Sequence, residues 1–200
     1  MADKSSRGIL EVICGPMFSG KSEELIRRLR RARIANQVTL VFKPTIDNRK
    51  TLEHIHAHSG DKLQAIAVES PSELRELIVP EIAVIGIDEV QFFSEDIINV
   101  IIEFVHSGKR VIVAGLDRDF RGLPFGYMPA LLAMADKLSK LTAVCIVCGN
   151  DAYLTQRLVN GEPAKVTDPI VMVGAQECYQ ARCGNCYQID QVPWLLYVQK

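Results

Sequence analysis

The eight residues GPMFSGKS, Gly15 to Ser22, restrict what this chain can fold into more than any other stretch. They fit the pattern G-x-x-x-x-G-K-[ST]. An apolar run, GILEVIC (8–14), precedes them, and Leu25, Leu29 and Ala32 recur at helical spacing from Gly20 to Ala35 after them. A strand that ends in glycine, a loop and a helix are therefore expected in that order. Glycines let successive backbone N–H groups face one concavity, and the helix N-terminus adds partial positive charge. Lys21 can then reach the outer phosphates of a nucleotide, and Ser22 offers a hydroxyl to Mg²⁺.

The chain continues the alternation. VTLVFKP (38–44), LQAIAV (63–68), IAVIGID (82–88) and KRVIVAGL (109–116) read as strands. SPSELRELI reads as a helix with Ser70 as cap and Pro71 at its first position, and SEDIINVIIEFVHSG as another. Strand and helix in alternation predict a mostly parallel α/β sheet covered on both faces, with a ligand crevice at the carboxyl ends of the strands. Between Pro44 and Leu63 the polar stretch TIDNRKTLEHIHAHSGDK carries no sustained apolar period and reads as a mobile loop. Its His54, His56 and His58 alternate without a supporting cysteine or acid pattern and read as loop histidines. The arginine run RRLRRAR reads as a solvated helix face, because Glu23 and Glu24 precede Arg27 and Arg28 by one turn.

Composition narrows the function classes. Among 200 residues, 23 Lys and Arg face 24 Asp and Glu, for a net charge of −1, so the basic excess of a dedicated nucleic-acid binder is missing. The N-terminal MADKSSRG has no apolar core of a signal peptide, and no apolar run approaches the roughly 18 residues of a membrane span. A cytoplasmic protein without membrane partners is expected.

Two further features carry chemistry. The strand AVIGID delivers Asp88 at its end, where a carboxylate can hold Mg²⁺ beside the phosphate loop. Glu89, one residue on, is positioned to deprotonate an attacking hydroxyl, either of water or of a substrate alcohol. No Asn-Lys-x-Asp tetrapeptide occurs to read guanine. Cys145-Ile146-Val147-Cys148 and Cys183-Gly184-Asn185-Cys186 form two C-x-x-C knuckles, the pattern of a four-thiolate structural Zn²⁺ site. Cys14 and Cys178 stand outside it and are expected to be buried apolar residues. The segment between the knuckles is too small for a core of its own, so a metal would fix its ends.

With GPMFSGKS, FKPTIDNR, IGIDEVQFF, GLDRDFRGLPFG, KLTAVCIVC and VGAQECYQARC in this order and spacing, the chain resembles the type II thymidine kinase family from residue 8 to 192. The resemblance implies a RecA-like P-loop domain (1–142), a zinc-held lasso domain (143–192) and a C-terminal tail (193–200). It implies ATP contacts from Gly15, Pro16, Met17, Phe18, Ser19, Gly20, Lys21 and Ser22, from Asp47, Asn48 and Arg49, and from Asp88, Glu89, Val90 and Gln91. Glu89 would be the general base on the nucleoside 5′-hydroxyl, with Lys21 and Arg49 assisting transfer. Phe120 would pack against the base, Met17 would face the thymine methyl, and Ile170, Val171, Met172, Val173, Gly174 and Tyr179 would belong to the lasso over it. The implied reaction moves the γ-phosphoryl of Mg-ATP to thymidine, with deoxyuridine as an alternative acceptor, to give dTMP in nucleotide salvage. Feedback inhibition by dTTP and a homotetramer are implied as well. Many relatives carry arginine directly after the third cysteine; here Gly184 stands there and Arg182 precedes the cysteine.

A second class fits the same motifs: an ATPase whose zinc ribbon grips nucleic acid. From Cys145 onward, Arg157, Lys165, Arg182 and Lys200 face Asp151, Glu162, Asp168, Glu177 and Asp190. A slightly acidic module is ill suited to a polyanion, which favours the kinase and no nucleic-acid partner.

Overall fold

The computed structural model describes residues 7–45, 52–56, 62–170 and 177–191, with only the backbone course at 52–56, 62 and 177. These residues divide into two compact units. One draws on Met1–Cys14, Gly20–Gly115 and Gly126–Ser139, the other on Gly15–Ser19, Leu116–Phe125 and Lys140–Lys200.

The first unit is the α/β sheet that the alternation predicts. Its strands are β1 (Ile9–Cys14), β2 (Thr39–Pro44), β3 (Leu52–His56), β4 (Lys62–Val68), β5 (Val84–Ile87), β6 (Arg110–Gly115) and β7 (Lys137–Lys140). They lie in the order β3-β4-β2-β5-β6-β1-β7. The pairs β4/β2, β2/β5, β5/β6 and β6/β1 are parallel, the arrangement that strand and helix in alternation favour. Strand β3 departs from the expected loop: it pairs antiparallel with β4, His54 opposite Gln64. An edge strand solvated on its outer side needs no apolar run, so hydropathy gave no sign of it.

Helix α1 (Lys21–Ile34) buries Leu25, Ile26, Leu29 and Ala32 against one sheet face. It comes so close that a Cβ on Gly86 would stand 2.8 Å from Leu29. On the same face Glu11, only 3% exposed, receives Arg28 at 2.7 Å and Arg110 at 2.8 Å. Burial alone would raise its carboxyl, but the two guanidinium groups hold it below its usual value. Arg28 therefore does not belong to a solvated face; its side chain is 12% exposed and also bonds Glu24 and Ser139. The opposite face takes α2 (Pro71–Leu77), α3 (Ile97–His106) and α4 (Met128–Met134), whose Leu74, Ile97, Val100, Ile101, Met128 and Leu131 join Leu10, Val12, Ile85, Ile87, Val111 and Val113 in one core. No helix among the described residues is long and apolar enough to cross a membrane.

The second unit is small and strand-built. Strands β8 (Ala143–Val144) and β9 (Asp151–Ala152) form one hairpin. Strand β10 (Leu154–Val159) pairs antiparallel with both β11 (Glu162–Pro163) and β12 (Glu177–Arg182). Cys178, expected to be buried, is exposed: β12 is an edge strand, and alternation turns the side chain outward.

Candidate active site and metal centre

In the first unit the end of the loop becomes the start of α1. Gly20, at φ 80 and ψ 21, adopts the left-handed conformation that glycine enters without a Cβ penalty, and no side chain caps the helix. A helix N-terminus without a side-chain cap is the kind of end that suits an anion. Lys21 lies in this first turn and is 9% exposed. Ser22 donates its hydroxyl to Asp88 Oδ2 at 3.0 Å. Asp88 is 6% exposed, and burial, reinforced by the Glu89 charge, pushes its carboxyl up to about 7 against the pull of Ser22, the Glu89 N–H and Lys21. A carboxylate and a hydroxyl side by side are hard oxygen donors of the kind Mg²⁺ takes.

Glu89 follows at φ 51 and ψ 38, a left-handed conformation uncommon for a residue with a long side chain. Its backbone carbonyl accepts Phe92 N–H at 3.1 Å, which closes a short 3-10 turn over Val90–Phe92. Its carboxylate accepts Gln91 Nε2 at 2.5 Å. Gln91 is itself 3% exposed, and Val90 turns its side chain into the core. The backbone of Gly126, at φ 49, comes so near that a Cβ there would stand 2.3 Å from the Gln91 carbonyl oxygen. Lys43 was missed in the sequence. The bond from Asp88 N–H to Phe42 O at 2.9 Å aligns the ends of β2 and β5, and the charges of Asp88 and Glu89 act on the ammonium group. Burial nevertheless lowers its pKa. Its signal lay in FKPTIDNR, one residue before the proline. Asp47, Asn48 and Arg49 of that motif fall outside the described residues.

The second unit holds the first five loop residues and every described residue expected around a nucleoside base. Met17 N–H donates to Thr155 Oγ1 at 3.0 Å, and Ser19 Oγ to Pro16 O at 2.8 Å. Phe18 is left-handed, at φ 66, and 47% exposed. Phe120 is buried in the turn Leu116–Phe125, which Asp119 organises by accepting the N–H groups of Arg121 at 2.8 Å and Leu123 at 3.2 Å. Tyr187 fixes that turn from outside, donating its hydroxyl to Phe120 O at 2.6 Å. Tyr179 is half-buried on β12, and Ile170 is exposed; Val171, Met172, Val173 and Gly174 lie outside the described residues. Thr155, Gln156 and Arg157 on β10 are all buried, which hydropathy could not suggest for consecutive polar residues.

The four knuckle cysteines converge: their Sγ atoms all lie within 4.8 Å of one another, Cys148 and Cys183 at 3.5 Å. Four thiolates at about 2.3 Å from one tetrahedral Zn²⁺ would stand about 3.8 Å apart, a spacing this set could reach by small side-chain adjustments. Backbone turns build each knuckle, through Gly149 N–H to Cys145 O at 2.8 Å and Tyr187 N–H to Cys183 O at 3.0 Å. The thiols are held in conflict. Burial would raise Cys145, but N–H groups of Cys183, Cys148 and Val147 bring it down to about 6. Hydrogen bonding with Cys148, then with Cys183, pushes Cys186 up to about 12. A bound dication would relieve that conflict by favouring four thiolates. An ion held by all four sulfurs would have no open position, as in a structural and not a catalytic site. A Cβ at Gly184 would stand 2.7 Å from the Tyr153 hydroxyl, the tip of a side chain that is 41% exposed. Arg182 reaches the second knuckle, donating to Cys186 O at 3.4 Å.

Compared with protein-family models, residues 8–187 match the one described as thymidine kinase.

Proposed function

The chain belongs to the thymidine kinase family, and from that premise we propose that it transfers the γ-phosphoryl of ATP to the 5′-hydroxyl of thymidine, or of deoxyuridine, giving the nucleoside monophosphate for salvage. The observation that carries the reading is the acid pair ending β5, where Asp88 meets Ser22 at 3.0 Å and Glu89 follows in a left-handed turn.

Each residue then has a task. The backbone of residues 15–22 and the Lys21 ammonium neutralise the β and γ phosphates. Ser22 and Asp88 would hold Mg²⁺, which when bound draws charge from the phosphate oxygens. Glu89 accepts the 5′-hydroxyl proton as the oxygen attacks phosphorus; the bond to the bridging oxygen breaks and ADP leaves. Arg49 meets the developing charge on the transferring group, with Asp47 and Asn48 beside it as nucleotide contacts. Met17, Phe120, Tyr179 and residues 170–174 enclose the base, whose buried donors and acceptors the lasso backbone satisfies. Cys145, Cys148, Cys183 and Cys186 hold zinc and so the ends of that lasso. A cytoplasmic tetramer under dTTP feedback completes the proposal.

Measuring ADP formation with and without nucleosides tests it. ADP should appear only with a pyrimidine deoxynucleoside present. Glu89→Gln should slow transfer by roughly 10² to 10⁴ while Mg·ATP still binds. Lys21→Ala should weaken binding and turnover together. ATP consumption independent of nucleoside, or a Glu89→Gln variant as fast as the parent, would overturn the assignment.

A further inference from the structure

We propose that Arg157 is a positioning residue for the nucleoside base, a role that rests on the kinase reading above. The side chain is completely buried on β10. Its guanidinium lies 3.6 Å over the centroid of the Phe120 ring. From the edge of the same plane, Nη1 donates to Pro169 O at 2.6 Å and reaches Ile170 O at 3.4 Å, while Nη2 stands 3.8 Å from Asp168 Oδ2. Across the ladder Arg157 pairs with Tyr179. One planar cation therefore ties together the ring expected against the base, the carbonyls where the lasso begins, and the strand that carries the second aromatic wall.

Burying a charge with no access to water is costly, and apolar residues of the same volume would fill this space more cheaply. A guanidinium, however, stacks through its face and donates through its rim at once, which neither lysine nor an apolar side chain can do. The positions of Phe120 and of the Ile170 backbone are thereby coupled: neither shifts without breaking a contact to the same group. Such coupling serves a site that must recognise a flat heterocycle between fixed walls.

The test separates positioning from mere support. Steady-state kinetics with thymidine and ATP varied in turn, and zinc content, are measured for the parent, Arg157→Lys and Arg157→Met. Both variants should raise the thymidine KM about tenfold or more, the effect of losing a buried charged hydrogen bond. The ATP KM and zinc content should stay at parental values, and kcat at saturating thymidine should stay within about threefold. A support role alone would instead lower the active fraction, so that kcat and zinc fall while the thymidine KM holds; that result overturns the proposal. If neither variant folds, Asp168→Asn, which removes the carboxylate facing Nη2, must raise the thymidine KM by about threefold with the ATP KM fixed, and no change overturns it. An active parent with an indifferent Arg157→Lys sinks this inference alone. A parent that phosphorylates no nucleoside sinks the kinase reading and takes this inference with it.

Discussion

Asp88 and Glu89 show how far two neighbouring carboxylates can be set apart by backbone. Asp88 continues the end of β5 into the protein, where burial opposes its ionisation; Glu89 is turned the other way by its left-handed φ and remains partly exposed. The buried acid is thus a functional cost carried by the fold. Asp88→Asn keeps the shape, an oxygen for the Glu89 N–H and an amide N–H that the Ser22 hydroxyl can accept, while removing the charge. Without nucleotide, that variant should melt no lower than the parent, yet lose Mg·ATP affinity and turnover. Scanning calorimetry beside nucleotide titration checks this, and a fall of several degrees in Tm would show that the carboxylate stabilises the empty fold. Gly184 makes a complementary point at single-residue scale. Its neighbour across the fold is the Tyr153 hydroxyl, from the link between β9 and β10, a proximity that the local sequence did not reveal.

Among the elements, those with regular apolar spacing were legible. The strands of the parallel sheet and helices α1 and α3 follow from hydropathy period, glycine breaks and caps, because each buries a face set by its own residues. Ser70 does cap α2, accepting Glu73 N–H at 3.4 Å, with Pro71 opening the helix. Strand β3 was illegible since its partner, not its own apolarity, makes it a strand. The β10 strand was illegible for another reason: Thr155, Gln156 and Arg157 are buried by virtue of partners far along the chain, such as Phe120, Gln188 and Pro169. Turn geometry predicts one further outcome. At Gly126, alanine would face both a left-handed φ and the Gln91 carbonyl oxygen at 2.3 Å. Gly126→Ala should cost about 1 to 3 kcal/mol in denaturant unfolding. By displacing the 3-10 turn that carries Gln91 and follows Glu89, it should also slow turnover; unchanged stability would mean that the turn yields freely.

At the scale of the whole molecule, the two units are stabilised by different means. The first has a continuous apolar core from Leu10 to Leu131, whereas at the cysteine end of the second the described residues form a small cluster of Ala143, Cys145, Ala152, Ala181 and Cys183 with Cys186 packed against it. Metal should therefore matter unequally. Purified protein should contain about one zinc per chain. Cys183→Ser should lose zinc and thymidine binding in calorimetry while an ATP analogue still binds, since ordering a released lasso costs about 1 to 2 kcal/mol per residue. Normal thymidine binding in that variant would refute the lasso argument. The second unit is also assembled from three separated stretches of chain, Gly15–Ser19, Leu116–Phe125 and Lys140–Lys200. In genetic terms it is not a cassette. A gene fragment starting at Lys140 encodes all four cysteines but neither the ring beneath Arg157 nor the loop that bonds Thr155. Recombination that exchanged this C-terminal stretch between distant relatives would transplant the four cysteines and leave behind the ring and the loop that Arg157 and Thr155 contact.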